Sequence, residues 1–132
     1  MYREKHPLKS ICLLRLSSLG DVTHMIPIIN TLKNENHKTD ITWIINKTEY
    51  ELVKNIKNVK FIVINKNSLY ESIKQLYKLR KSVIFDVLLH MQVSLRSNIL
   101  SMIIKSKRRI GFNKPLSKNF HYYFNNEVIN CK

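Results

Sequence analysis

The chain has 132 residues, of which 44% are apolar, so it is long enough for one domain with a buried core and short for two. Its 23 Lys and Arg residues against 9 Asp and Glu residues give a formal net charge of +14, so the surface should attract polyanions such as nucleic acid, anionic lipid headgroups or phosphorylated sugars. Cys12 and Cys131 lie near opposite ends without metal-ligand spacing, and the apolar runs are far shorter than the roughly 18 to 20 residues of a membrane span, so we expect no disulfide framework, zinc site or transmembrane helix.

Short apolar runs rich in β-branched residues alternate along the chain with longer segments of helical spacing. The runs predict strands over residues 11–16, 41–45, 61–64, 83–89 and, most weakly, 108–112. Three helical faces are predicted between them: Val22, Met25, Ile26, Ile29 and Leu32; Leu69, Ile73, Leu76 and Tyr77; Leu95, Ile99, Met102 and Ile103. Continuous apolar strands are typical of sheets covered on both faces. We therefore predict an α/β fold, a Rossmann-like parallel sheet with flanking helices, which binds ligands beyond the carboxyl ends of its strands.

The turn after the first strand is the most specific feature of the sequence. A buried strand is followed by small polar residues and then by an amphipathic helix, over residues 13–27. The glycine-rich nucleotide motifs are absent, and the chain has only two glycines. In purely physical terms Asp21 is most simply the N-cap of this helix, with Ser17 and Ser18 as turn residues. The alternative is a reactive carboxylate at the mouth of the sheet. Pro27 predicts a helix that starts later than Asp21 or has a distorted first turn.

Residues 14–27, with the sequence LRLSSLGDVTHMIP, resemble the opening signature of the ADP-heptose:lipopolysaccharide heptosyltransferases, glycosyltransferase family 9. The resemblance continues through residues 85–92 (FDVLLHMQ), 96–97 and 109–112 (RIGF). It implies the N-terminal half of a GT-B glycosyltransferase, in which one Rossmann-like domain binds the acceptor and carries the catalytic base, while a second domain binds the sugar nucleotide. We accordingly expect residues 1–132 to form a single acceptor-side domain, with the donor-binding domain absent from this chain.

The resemblance implies a general base, Asp21, in an inverting transfer of heptose from ADP-heptose to the Kdo-lipid A acceptor of the lipopolysaccharide inner core. The residues expected to shape or contact the acceptor site are Arg15, Ser17, Ser18, Gly20, Gln92, Arg96, Lys114 and Lys118. Many relatives carry Asp-Ala-Gln-Gly after the fourth strand and a Lys further on, where this chain has LHMQV and Arg96, so the accepted sugar is left open. No metal or cofactor is expected, because the histidines share no ligand spacing and ADP-heptose is a donor substrate. His90 is expected to be structural.

The chain shows no disulfide framework and no signal-peptide pattern, so we expect a cytoplasmic protein. The resemblance also implies peripheral contact with the inner face of the cytoplasmic membrane, where the anionic glycolipid acceptor lies. The densest basic stretch, Lys105, Lys107, Arg108, Arg109, Lys114 and Lys118, lies close to Phe112, Tyr122 and Tyr123. Two other functions stay open: a basic α/β module that binds nucleic acid through these residues, and an inactive fragment that keeps only the fold. A solvated basic edge, or a bias toward A·T-rich codons, also accounts for the charge.

Overall fold

The computed structural model describes residues 9–36, 38–65, 67–92, 94–112 and 127–129. Its strands are β1 (Ser10–Leu14), β2 (Asp40–Asn46), β3 (Val59–Ile64), β4 (Phe85–His90), β5 (Ser106–Phe112) and β6 (Glu127–Ile129). Its helices are α1 (Leu19–Thr23), α2 (Met25–Glu35), α3 (Lys47–Val53), α4 (Leu69–Ser82) and α5 (Leu95–Ile103). All strand pairs are parallel, and the strands form one sheet in the order β3-β2-β1-β4-β5-β6.

The order of the strands reverses between β1 and β4. The chain first builds outward from β1 to β3 and then returns to place β4 on the other side of β1, with Leu14 opposite His90. The connections leaving β1 and β4 therefore run in opposite directions along the sheet. This divergence opens a crevice beyond the carboxyl ends of the two strands, the usual ligand position in folds of this kind.

Helices cover both faces of the sheet, which explains the continuous apolar character of its strands. On one face Cys12 and Leu14 pack with Leu76 of α4 and Leu100 of α5. On the other face α1, α2 and α3 enclose a second core, in which Trp43 is fully buried. Burial of a large apolar side chain contributes about 1.5 to 3 kcal/mol, so β1, whose side chains enter both cores, contributes strongly to the stability of the sheet. Burial also raises the pKa of the Cys12 thiol, which keeps it protonated.

Pro27 predicts a helix that starts later than Asp21 or has a distorted first turn, and in the structure the helix after β1 is divided into two pieces. A first helix, α1, ends at Thr23, and α2 begins at Met25, so Pro27 occupies the third position of the new helix. A proline in the first turn lacks an N–H group that has no intrahelical partner in any case, and the break therefore removes the conflict. None of the helices in the described part of the chain is long and apolar enough to span a membrane.

The five predicted strands are all present, with shifted ends. β1 stops at Leu14, two residues earlier than predicted. β4 starts at Phe85, because the N–H of Val83 still donates to the carbonyl of Leu79 at the end of α4. Two short elements, α3 and β6, were not located by the periodicity. Seven and three residues, respectively, are too few for an apolar repeat to stand out.

Candidate active site

The carboxylate of Asp21 lies at the carboxyl edge of the sheet, in the short helix α1 that follows β1. Its Oδ2 accepts a hydrogen bond from the Ser18 hydroxyl at 2.9 Å and lies 2.8 Å from Nη2 of Arg15. These two contacts, the hydroxyl first and the guanidinium second, hold the pKa of Asp21 below its ordinary value. The side chain is still 50% exposed. The structure thus presents an ionised carboxylate that is fixed in position and open to a ligand.

The prediction that Asp21 is the N-cap of its helix is wrong. The N-cap of α1 is Ser18, and Asp21 is the third residue of that helix. Its carboxylate therefore does not cap the backbone but accepts the hydroxyl of the capping residue. An acidic group in the first turn is also favoured by the helix dipole.

Arg15 is fixed from three directions. Its guanidinium reaches Asp21 on one side and donates through Nη1 to the carbonyl of Met91 on the other, while its own carbonyl accepts the indole N–H of Trp43 at 3.0 Å. The side chain is only 16% exposed. Arg15 therefore links the turn after β1 to the loop after β4 and orients the carboxylate between them.

Gln92 closes the crevice from the β4 side. Its Oε1 accepts the backbone N–H groups of Leu16 at 2.6 Å and Ser17 at 3.0 Å, and its Nε2 lies 3.4 Å from the Ser17 hydroxyl. The side chain thereby continues the pairing of β1 with β4 beyond the last ladder bond, from Met91 N–H to Leu14. The sequence named Gln92 as a site residue, but its bonding to the β1 turn is visible only in the structure.

Gly20 lies in α1 beside Asp21, on the exposed side of the turn. A Cβ atom added to it would meet no atom within 4 Å. The fold itself therefore does not require glycine at this position. Gly20 is itself exposed, so this space is open to solvent.

Arg96 lies at the same edge of the sheet as Asp21 but in the layer of α4 and α5. Its Nη2 donates to the carbonyl of Asn65 at 2.8 Å and lies 3.3 Å from the Ser72 hydroxyl. These contacts tie the start of α5 to the connection between β3 and α4. Lys114 and Lys118 lie outside the described residues, so their predicted place on this rim stays a prediction.

Two cations of the basic stretch, both in β5, have different surroundings. Arg109 is turned inward and donates to the carbonyls of Ser101 and Ile104 at the end of α5, and its burial lowers its pKa. Lys107 instead lies 3.4 Å from Asp86. Single-stranded nucleic acid needs cations and aromatic groups aligned on one groove. Lys114, Lys118, Tyr122 and Tyr123 lie outside the described residues, so the nucleic-acid alternative stays a prediction.

His90 is fully buried at the end of β4, with Nε2 3.4 Å from the Ser97 hydroxyl. This placement agrees with the structural role predicted for it. Within the described ranges, no three or more His, Cys, Asp and Glu side chains come together as a metal site would require. Among the described residues, the side-chain contacts reported above bring together five polar residues at the carboxyl edge of the sheet: Arg15, Ser17, Ser18, Asp21 and Gln92.

This chain is similar over most of its length to a curated heptosyltransferase. It is 38% identical over 121 residues to the lipopolysaccharide core heptosyltransferase OpsX of Haemophilus influenzae, in an alignment that covers 92% of this chain and 35% of that protein. The chain thus spans about a third of the length of this relative. No family model matches the chain.

Two solved structures share the fold. A glycosyl transferase family 9 protein of Veillonella parvula has a TM-score of 0.76 at 20% identity, covering 94% of this chain and 36% of that one. The Escherichia coli heptosyltransferase WaaC, solved with ADP, has a TM-score of 0.78 at 14% identity, covering 91% and 41%. The predicted resemblance to the heptosyltransferases and the predicted Rossmann-like fold are both confirmed.

Proposed function

We propose that this chain forms the acceptor-side domain of an inverting heptosyltransferase that moves heptose from ADP-heptose to the lipopolysaccharide inner core. The observation that carries this proposal is the carboxylate of Asp21, fixed by Arg15 and Ser18 beside the β1–β4 crevice. The sequence similarity to the core heptosyltransferase OpsX supports the choice of sugar and acceptor.

In the proposed reaction, Asp21 accepts the proton of an acceptor hydroxyl while that oxygen attacks the anomeric carbon of heptose. The bond from that carbon to the diphosphate breaks, and ADP leaves with the electron pair. A carboxylate of lowered pKa is ionised at neutral pH but is a weak base. It suffices here because the hydroxyl becomes acidic only as its bond to carbon forms. Arg15 is a positioning residue that keeps the carboxylate ionised and oriented.

The acceptor is proposed to lie across the turn after β1. Ser17, Ser18 and Gly20 shape this surface, and the open space above Gly20 suits a bulky sugar. Gln92 and Arg96 border it from the β4 side. Lys114 and Lys118 are proposed to add charge for the acidic sugars and phosphates of the acceptor.

The donor is proposed to bind mainly to a second domain of a longer protein. A displacement needs both substrates in a near-attack geometry, a contribution of about 7 to 11 kcal/mol to catalysis when both are well oriented. Residues 1–132 supply one of the two binding surfaces in this proposal. They are therefore expected to bind acceptor without transferring heptose on their own.

Peripheral contact with the inner face of the cytoplasmic membrane is part of the proposal, because the acceptor is an anionic glycolipid. A formal net charge of +14 favours such a surface. Each Lys or Arg close to an anionic leaflet contributes about 1 kcal/mol of attraction.

Incubation of the longer protein with ADP-heptose and Kdo-lipid A tests the proposal. We expect equal amounts of ADP and heptosylated acceptor, with the configuration at the anomeric carbon inverted. Retained configuration, or ADP-heptose left unconsumed beside an acceptor that binds, would contradict it. A matched protein with Asp21→Asn controls for transfer by contaminating enzymes.

A further inference from the structure

The helix α5 carries apolar side chains on its outer side as well as on its buried side. Leu95 and Met102, which are seven residues apart and so lie on one side of the helix, are 52% and 56% exposed. The buried side of the same helix holds Leu100 together with the polar side chains of Ser97, Asn98 and Ser101. A surface helix normally turns its apolar residues to the core and polar residues to water, so the two exposed apolar side chains depart from that arrangement. An outer side of this kind suits a helix that meets a second apolar phase.

The neighbouring helix α4 presents aromatic and basic groups. Tyr70 and Tyr77, again seven residues apart, are 70% and 53% exposed. Lys74 and Lys78 are exposed on the same helix, and Lys81 places its Nζ 5.2 Å from the centre of the Tyr77 ring. Tyr combines an apolar ring with a polar tip, and Lys an apolar stem with a charged head. Both are suited to the boundary between a hydrocarbon phase and water.

The two helices lie side by side on one face of the sheet. At their first turns Arg96 of α5 contacts Ser72 of α4, and at their last turns Arg80 of α4 donates to the carbonyl of Ile103 in α5 at 3.2 Å. Contacts at both ends hold the helices in the same direction. Their outward groups therefore form one surface, the α4–α5 face. It consists of Tyr70, Lys74, Tyr77, Lys78, Lys81, Leu95 and Met102.

We propose that the α4–α5 face is the surface with which this chain lies on an anionic lipid bilayer. Its leucine and methionine enter the boundary of the acyl chains, its tyrosines lie at the headgroups, and its lysines pair with lipid phosphates. Charge favours this occupant, because Glu71 is the one acidic residue of the two helices, against five basic ones. Both helices begin at the edge of the sheet that holds Asp21, so a membrane-anchored acceptor would lie near that edge.

This inference rests on the membrane contact in the proposed function and identifies its surface. The test is sedimentation of the 132-residue chain with vesicles of phosphatidylethanolamine and phosphatidylglycerol, compared with vesicles of phosphatidylcholine alone. We expect binding to the anionic vesicles that weakens as salt is raised. Lys74→Glu with Lys78→Glu should weaken it by at least about tenfold, since each lysine is worth about fivefold. Leu95→Ser with Met102→Ser should also weaken it and leave the unfolding midpoint unchanged.

Matched controls come from other parts of the surface. Lys38→Glu with Lys57→Glu makes the same change in net charge at the opposite edge of the sheet, and Leu52→Ser removes an exposed leucine from α3. The vesicle affinity of both controls should stay within about twofold of the parent value. This change is much smaller than the fivefold loss expected for one lysine of the α4–α5 face.

Four outcomes would overturn the inference. Equal loss in the control variants would assign binding to net charge alone, which leaves the proposed membrane contact standing. If the parent chain does not bind anionic vesicles, the proposed membrane contact is refuted as well. A lowered unfolding midpoint in the Leu95→Ser, Met102→Ser chain would mean that another segment of the chain covers α5. Weakened oligonucleotide binding with unchanged vesicle binding in the lysine variant would assign the face to nucleic acid.

Discussion

Replacement of Asp21 by Asn tests the proposed base most directly. The amide keeps an oxygen that can accept the Ser18 hydroxyl, but it cannot accept a proton and does not pair with Arg15. The Asp21 side chain is half exposed, so the lost ion pair should cost at most about 1 kcal/mol of unfolding free energy. Loss of general-base catalysis should lower the turnover of the longer protein about 10²- to 10⁴-fold. The fall in activity would then far exceed what the change in stability explains.

The assay combines urea unfolding with heptose transfer for three proteins: the parent, Asp21→Asn and Asp21→Ala. The alanine variant loses the hydrogen bond with Ser18 as well as the charge, so it separates the structural role of the side chain from its chemical role. Acceptor binding should be nearly unchanged in the asparagine variant. If Asp21→Asn unfolds normally and transfers heptose at close to the parent rate, Asp21 is not the base and the reasoning is refuted.

Four further predictions follow from the same geometry. Gln92→Ala should lower the unfolding free energy measured in urea by about 2 to 3 kcal/mol, because the N–H groups of Leu16 and Ser17 lose their acceptor. Gln92→Glu keeps an acceptor oxygen and should retain most of the parent's stability. Equal losses in the two variants would argue against the hydrogen bonds as the cause. Gly20→Ala should leave stability unchanged or raise it by up to about 1 kcal/mol and should weaken acceptor binding, and unaltered binding would place the acceptor elsewhere. The pKa of Asp21 is lowered in the folded chain, so its ionisation contributes stability at pH values above the ordinary pKa of 3.8. This contribution is lost as pH falls through the lower folded pKa. The difference in unfolding free energy between parent and Asp21→Asn should therefore be constant from about pH 5 to 8 and disappear in stronger acid. Residues 1–132 alone should release no ADP from ADP-heptose, and measurable turnover by the purified chain would contradict the division of the two substrates between two domains.

Local features of the sequence were enough to predict the fold class and the site residues that follow β1. Continuous apolar strands predict a sheet covered on both faces, because every residue of such a strand is buried whichever way it points. Pro27 predicts a late start or a distorted first turn of the helix after β1, because the constraint lies within the residue itself, and the structure divides this helix into α1 and α2. Asp21, the Ser17-Ser18 pair and Gly20 are close together in the chain, so their neighbourhood is set before any tertiary contact forms.

The partners of these residues were decided by the tertiary structure. Gln92 bonds to the turn after β1 across about 75 positions, and it does so only because β4 lies next to β1 in the sheet. The direction of Arg109, which turns toward the end of α5, depends in the same way on where that helix ends. Periodicity reports how buried a residue is, but strand order determines which residue it meets. The Asp21 motif could therefore be predicted from the sequence. The hydrogen bonds by which Arg15 and Gln92 link the turn after β1 to the end of β4 could not.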